Sequence, residues 1–132
     1  MAGKVNFKEL QELQKRLQQA QSQVPALMED IAKDIAKEFL TSVINRTPAS
    51  NTNELKKDWK CDFNVARQGN NYVVTIKNEN EIASLIEYGH RTENNGFKQG
   101  HFMMTITQQE IERRMNSIAQ PKVDNFLKGV FK

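Results

Sequence analysis

Ile86-Glu87-Tyr88-Gly89-His90-Arg91-Thr92, then the polar loop Glu93–Gln99, then Gly100-His101-Phe102-Met103-Met104-Thr105, decide how this chain divides. Residues 1–85 read as a long helix and a hairpin. Residues 106–132 read as helix again. Asn94, Asn95 and Gly96 between the two halves are residue types that favour turns. The stretch holds both histidines of the chain, two carboxylates and three glycines, so it is the first place to look for chemistry.

Upstream, the pattern from Asn6 to about Asn45 is helical. Leu10, Leu17, Val24 and Ile31 recur every seven residues, and Leu13, Ala20 and Leu27 follow the first three at a spacing of three, which makes an a/d seam. Pro25 interrupts it, because a proline removes a backbone hydrogen bond and clashes with the preceding turn. Either one helix kinks near Gln21–Val24, or two helices meet there. From Ile31 the stripe widens to include Ile35, Ala36, Phe39, Leu40, Val43 and Ile44, a face broad enough to pack on a sheet. The narrower stripe of Leu10, Leu13 and Leu17 lies either on its own domain or on a neighbouring subunit. Thr47-Pro48 ends the arm, and the Ser/Asn/Thr cluster up to Asn53 reads as a loop.

Residues 55–67 alternate, with Trp59, Cys61, Phe63 and Val65 on one face, as in a half-buried strand. Gln68-Gly69-Asn70-Asn71 is the turn and Tyr72–Lys77 the returning strand. The apolar face of this hairpin is expected to cover the wide stripe of the arm. Asn80 is placed to cap a helical turn at Glu81–Leu85, and a short third strand is expected at Ile86–Tyr88. Phe102–Ala119 returns to helical spacing, Pro121 is expected to break it, and Val123–Phe131 forms a last amphipathic segment that docks on its own domain or a partner. Arg113 and Arg114 are placed on a solvated face or in a salt bridge between subunits. The expected class is α+β in a single domain over residues 1–132: a helical arm (6–45), a small antiparallel sheet (55–88), a protruding loop (89–101) and C-terminal helices (102–131).

With 132 residues, 38% hydrophobic, and a mean hydropathy of −0.69, the core is expected to be thin, with burial completed in an assembly. Nineteen basic and sixteen acidic residues give a net charge of +3 without clustering, unlike a dedicated nucleic-acid binder. The lone Cys61 excludes an internal disulfide and reads as a buried, inert thiol. No apolar run approaches the ~20 residues of a membrane span, and no apolar segment follows Lys4 to make a leader. A reducing cytoplasm is the expected place of synthesis.

The chemistry of the central stretch is thin. His90 and His101 lack the third and fourth ligands a metal needs. Glu87 with His90 is the only acid/base combination there, and no phosphate-binding loop or Ser-His-Asp set occurs. No cofactor is expected. His90, Arg91, Lys98 and His101 face a single Glu93, which suits proximity to DNA without reading its sequence.

The order of these pieces resembles a family of small tailed-phage proteins, the tail-component or head–tail joining family. The resemblance rests on the helix pair, Thr47-Pro48, Leu55-Lys56-Lys57-Asp58-Trp59 leading into a strand, Tyr88-Gly89-His90-Arg91-Thr92, and Gly100-His101-Phe102-Met103-Met104. It runs from about Phe7 to Phe131. The centre of the loop departs from it, lacking the proline that often precedes the second glycine. The resemblance implies a structural virion protein, not an enzyme. It would be a connector, neck or tail-completion subunit forming a ring of six or twelve copies around the DNA channel. Its partners would be connector or stopper and tail-terminator proteins, with non-specific DNA proximity in the lumen and no membrane. Its place would be the head–tail interface of a virion assembled in the host cytoplasm. Glu87, Tyr88, Gly89, His90, Arg91, Thr92, Phe97, Lys98, Gly100, His101 and Phe102 would then contact a neighbour, with Gly89 and Gly100 as hinges, and Leu10, Leu13 and Leu17 would form a second contact on the arm. The competing readings are a small prophage-encoded nucleic-acid-binding regulator and a hydrolase using Glu87 and His90.

Overall fold

The computed structural model describes residues 8–49 and 53–131. The expected helix start at Asn6 and the loop positions 50–52 lie outside these. Helix α1 runs unbroken from Lys8 to Arg46, 39 residues with Pro25 inside it, so a single helix passes the proline. Helix α4, Met103–Val130, is likewise continuous and carries Pro121 within it, which corrects the expected break there.

Both helices persist for the same reason: they lie antiparallel and hold each other. Arg46 pairs with Glu110, Glu38 with Arg114 at 3.5 Å, and Asp34 with Lys122 at 3.1 Å. Ile31, Ala36 and Ile111 are buried along this pair. Arg114 therefore pairs within its own chain, also reaching Glu110 at 3.3 Å. The segment after Pro121 docks on its own arm, where Phe126 and Val130 meet Gln19, Ala20 and Gln23. Tertiary packing outweighs the proline penalty, so that penalty should be recoverable. Pro121→Ala is expected to stabilise the fold by about 1–3 kcal/mol, since the ring is exposed and alanine restores the missing donor. A higher midpoint in thermal unfolding checks this.

Between the helices the chain forms short pieces. Helix α2 spans Glu54–Lys57, β1 Trp59–Lys60, β2 Ala66–Gln68, β3 Asn71–Val73, β4 Lys77–Asn78 and α3 Ala83–Tyr88. β5 spans Gly89–Arg91 and β6 Phe97–Gln99. All pairing is antiparallel and two-stranded: β1 with β4, β2 with β3, β5 with β6. The class is α+β and mostly helical, as expected.

Three local expectations need correction. Leu55–Asp58 is a helical turn, not strand, and the ladder starts at Trp59. The strand from Trp59 is interrupted at Phe63, whose φ is 56°. There Asp62 Oδ1 accepts from the Asn64 N–H at 3.0 Å, a local turn that competes with the ladder. Ile86–Tyr88 is the end of a helix. Ala83, Leu85 and Glu87 favour helix more than strand, and Ala83 with Ile86 packs on the core. Asn80 starts that helix, its Oδ1 accepting from Ile82 N–H at 3.1 Å and its carbonyl from Ala83 N–H at 3.0 Å. The strand begins one residue later, at Gly89, and pairs with β6 instead of extending the long hairpin.

The core sits at one end of the helix pair. Val43, Leu55, Trp59 and Met103 are buried together, with Phe39, Leu40, Ile44 and Ile76 against them. The long hairpin covers the wide stripe of α1 in part: Ile76 packs on the cluster with Phe39 and Leu40, while Ile35 and Phe39 also line an open groove beside Tyr72 and Val74. Trp59 lies in the core, and its indole N–H donates to Thr47 Oγ1 at 2.7 Å. Thr47 in turn donates to the Val43 carbonyl at 2.6 Å. Cys61 is half-buried beside Leu40 and Thr75.

Candidate functional site: the clamped hairpin

The end of α3 and the start of α4 meet head-on, and Glu87 joins them. Its carboxylate is buried, 6% exposed. It accepts from Met104 N–H at 2.9 Å, Thr105 N–H at 3.0 Å and Thr105 Oγ1–H at 3.0 Å. Helix α4 has no cap of its own: Phe102 precedes it in left-handed geometry with φ 49°. Glu87 therefore supplies the cap from another element, with its charge at the positive end of the α4 dipole. The α3 carbonyls are met in return, Ile86 O accepting from His101 N–H at 2.7 Å and Glu87 O from Phe102 N–H at 3.1 Å.

The two glycines are the base of this clamp. At Gly89, φ 85°, a Cβ would stand 2.5 Å from Lys98 O and 2.8 Å from Gly100 N. At Gly100 a Cβ would collide with Glu87 O and stand 2.7 Å from Tyr88 C. The strands cross backbone on backbone, which only glycine allows. The expectation of two hinges is thus overturned: the base of the loop is close-packed. Above it the loop is an ordered hairpin, Gly89 opposite Gln99, His90 opposite Lys98 and Arg91 opposite Phe97. Thr92 N–H donates to Gly96 O at 2.9 Å, and Asn95 takes the left-handed turn position.

The expected site residues fall into two groups. Arg91, Thr92, Phe97 and Lys98 project into solvent on the hairpin, with Tyr88, His101 and Phe102 exposed around its foot. Glu87, Gly89 and Gly100 are structural, inside the clamp. Leu10, Leu13 and Leu17 are far away on the arm, all exposed. His90 is half-buried, and its Nδ1 is buried without a hydrogen-bond partner. Glu87 spends its oxygens on α4, so it forms no pair with His90. Among the described residues no group of three His, Cys, Asp or Glu side chains is placed to hold a metal. No helix among them is long and apolar enough to cross a membrane.

Sequence reasoning passed over a second polar joint. Arg46 donates to Thr107 Oγ1 at 3.0 Å and to Glu110, while Thr107, fully buried, donates to the Met103 carbonyl at 2.6 Å. Thr107 interrupts the apolar spacing of α4, and that interruption was the available signal. The hydrogen bond from Arg46 holds the Glu110 carboxyl below its ordinary pKa, against the opposing effect of desolvation; the charges of Arg46 and then Arg114 add to the lowering. A carboxylate with a lowered folded-state pKa stabilises the fold above its unfolded pKa, and the contribution is lost as pH falls through the folded value. Glu110→Gln should therefore lose stability at pH 7, and the difference should shrink only as pH falls below about 4 and on through the lowered folded pKa. Urea unfolding of both proteins at pH 7 and along that acid descent checks this.

An antiparallel helix pair, a core at one end and a clamped hairpin with exposed apolar and basic side chains define an α+β scaffold that carries a protruding element. A family model described as "Bacteriophage HK97-gp10, putative tail-component" matches residues 11–89. The match covers more than half of the chain, which belongs to this family of phage tail components. No curated protein and no solved structure matches it.

Proposed function

We propose that the protein is a head–tail connector or tail-completion subunit. Copies of it form a closed ring, six or twelve in number, between the capsid connector and the tail, with the DNA passing through the lumen. Its neighbours are the connector or stopper and the tail terminator. Membership of a tail-component family speaks for a structural role rather than catalysis.

The observation that carries this reading is the apolar surface the subunit leaves uncovered. Leu10, Leu13 and Leu17 on the arm, Leu127 and Phe131 near the end of α4, and Tyr88 and Phe97 at the hairpin are all exposed. Scattered apolar residues on a surface are ordinary, but rows of them at both ends of a molecule mark interaction sites. The end of α4 lies beside α1 at Arg16 to Gln23, and N-terminal to that Leu10 and Leu13 are exposed. An exposed apolar stripe on a helix is a surface for a partner. Phage lacking the protein should accumulate filled heads and free tails that fail to join, and supplying the protein should restore joining. Normal particles in its absence would overturn the reading.

A further inference from the structure

Two short hairpins, β2–β3 and β5–β6, have no third strand among the described residues. Such a hairpin is marginal in water unless something packs behind it. β2–β3 has that support, since Tyr72 and Val73 stand over α1. β5–β6 lacks such cover: every residue from Arg91 to Gln99 is exposed, and Phe97 is 66% exposed, its ring edge over Gly89.

Elsewhere on the same chain lies an open groove of about 710 Å³. Met28, Ile35 and Phe39 of α1 form its floor, Tyr72 and Val74 one wall, and Met115 of α4 the other. β3 runs along its lip with one edge unpaired. Glu29, next to Met28 at the rim, is exposed and has no cationic partner among the described residues. Arg91, the cross-strand partner of Phe97 on the hairpin, is exposed and has no carboxylate partner among them. The opposite edge, β2, carries Arg67 stacked 5.5 Å from the Tyr72 ring, and that like charge disfavours the hairpin there.

We propose that the β5–β6 hairpin of one copy adds to the free edge of β3 in the next copy. Phe97 seats in the groove, and Arg91, which shares its face of the hairpin, meets Glu29 at the groove's rim. Strand addition gives main-chain hydrogen bonds, and the groove gives selectivity for the aromatic anchor. The packed Gly89–Gly100 base and the Glu87 cap keep the hairpin off the groove of its own chain. Donor and acceptor lie on different surfaces, so the contact is heterologous, the kind whose repetition builds a ring when the rotation between copies closes. This inference rests on the ring reading above and specifies which surfaces close it.

The test compares wild type, Phe97→Asp, Arg91→Glu, and Arg91→Glu combined with Glu29→Lys, by sedimentation of the full chain. Phe97→Asp should keep the helical circular dichroism of wild type but assemble at least about tenfold more weakly, by analogy with loss of an interface anchor, and Arg91→Glu should weaken assembly in the same direction. The charge-swapped double variant should regain rings, which loss of folding could not explain. Rings of unchanged strength in Phe97→Asp would overturn the inference and leave the ring reading standing. A wild-type protein that stays monomeric with head and tail partners present would overturn the ring reading itself.

Discussion

Met103→Ala is expected to lower stability by about 3 kcal/mol and the thermal midpoint by roughly 10 °C. Met103 is 1% exposed and is the first residue of α4. It fills the point where the end of α1, the long hairpin and α4 converge, against Val43, Leu55 and Trp59. Truncation removes its buried surface and leaves a cavity among side chains that are fixed on three separate elements. Such a site collapses poorly, so the cost lies well inside the range for buried methionine. Met103→Leu, which keeps most of the volume, should cost less than about 1.5 kcal/mol. Thermal unfolding of the two variants separates lost packing from any general intolerance at the position.

Glu87→Ala is expected to cost about 2–3 kcal/mol and to loosen the hairpin. Two backbone donors of α4 and the Thr105 hydroxyl lose their acceptor, and the helix has no cap of its own to replace it. Glu87→Gln keeps one good acceptor and should cost about half as much. Hydrogen exchange at Met104 and Thr105 reads the effect directly, with faster exchange in Glu87→Ala than in Glu87→Gln. Equal exchange in both variants and in wild type would show that the cap contributes nothing.

The residues that made the long elements legible were those with a period. Leu10, Leu17, Val24 and Ile31 announced the arm, and the widening at Ile35 and Phe39 announced the core. The prolines misled in one case and left a choice open in the other, because a sequence shows the local cost at Pro25 and Pro121 but not the antiparallel partner that offsets it. The short elements were least legible. Cys61 to Val65 alternates like a strand, yet Asp62 and Asn64 turn the backbone locally. Ile86–Tyr88 reads as a strand after the helical turn at Glu81–Leu85, but the helix runs on to Tyr88 as Ala83 and Ile86 find the core. At the central stretch the residues were found and their roles were redistributed. Glu87 stood out as a candidate acid and is a helix cap; Gly89 and Gly100 stood out as hinges and are a close-packed crossing. Both roles depend on α4 returning to the end of α3, a contact no local pattern encodes.

In the proposed function, copies of this chain close on one another. The most direct measurement of that closure is the native mass of the purified protein across a concentration series. Ring closure predicts one discrete species at six or twelve times the 15.2 kDa chain, falling to monomer on dilution without a ladder of intermediates. A monomer at every concentration, unchanged when head and tail partners are added, would contradict it.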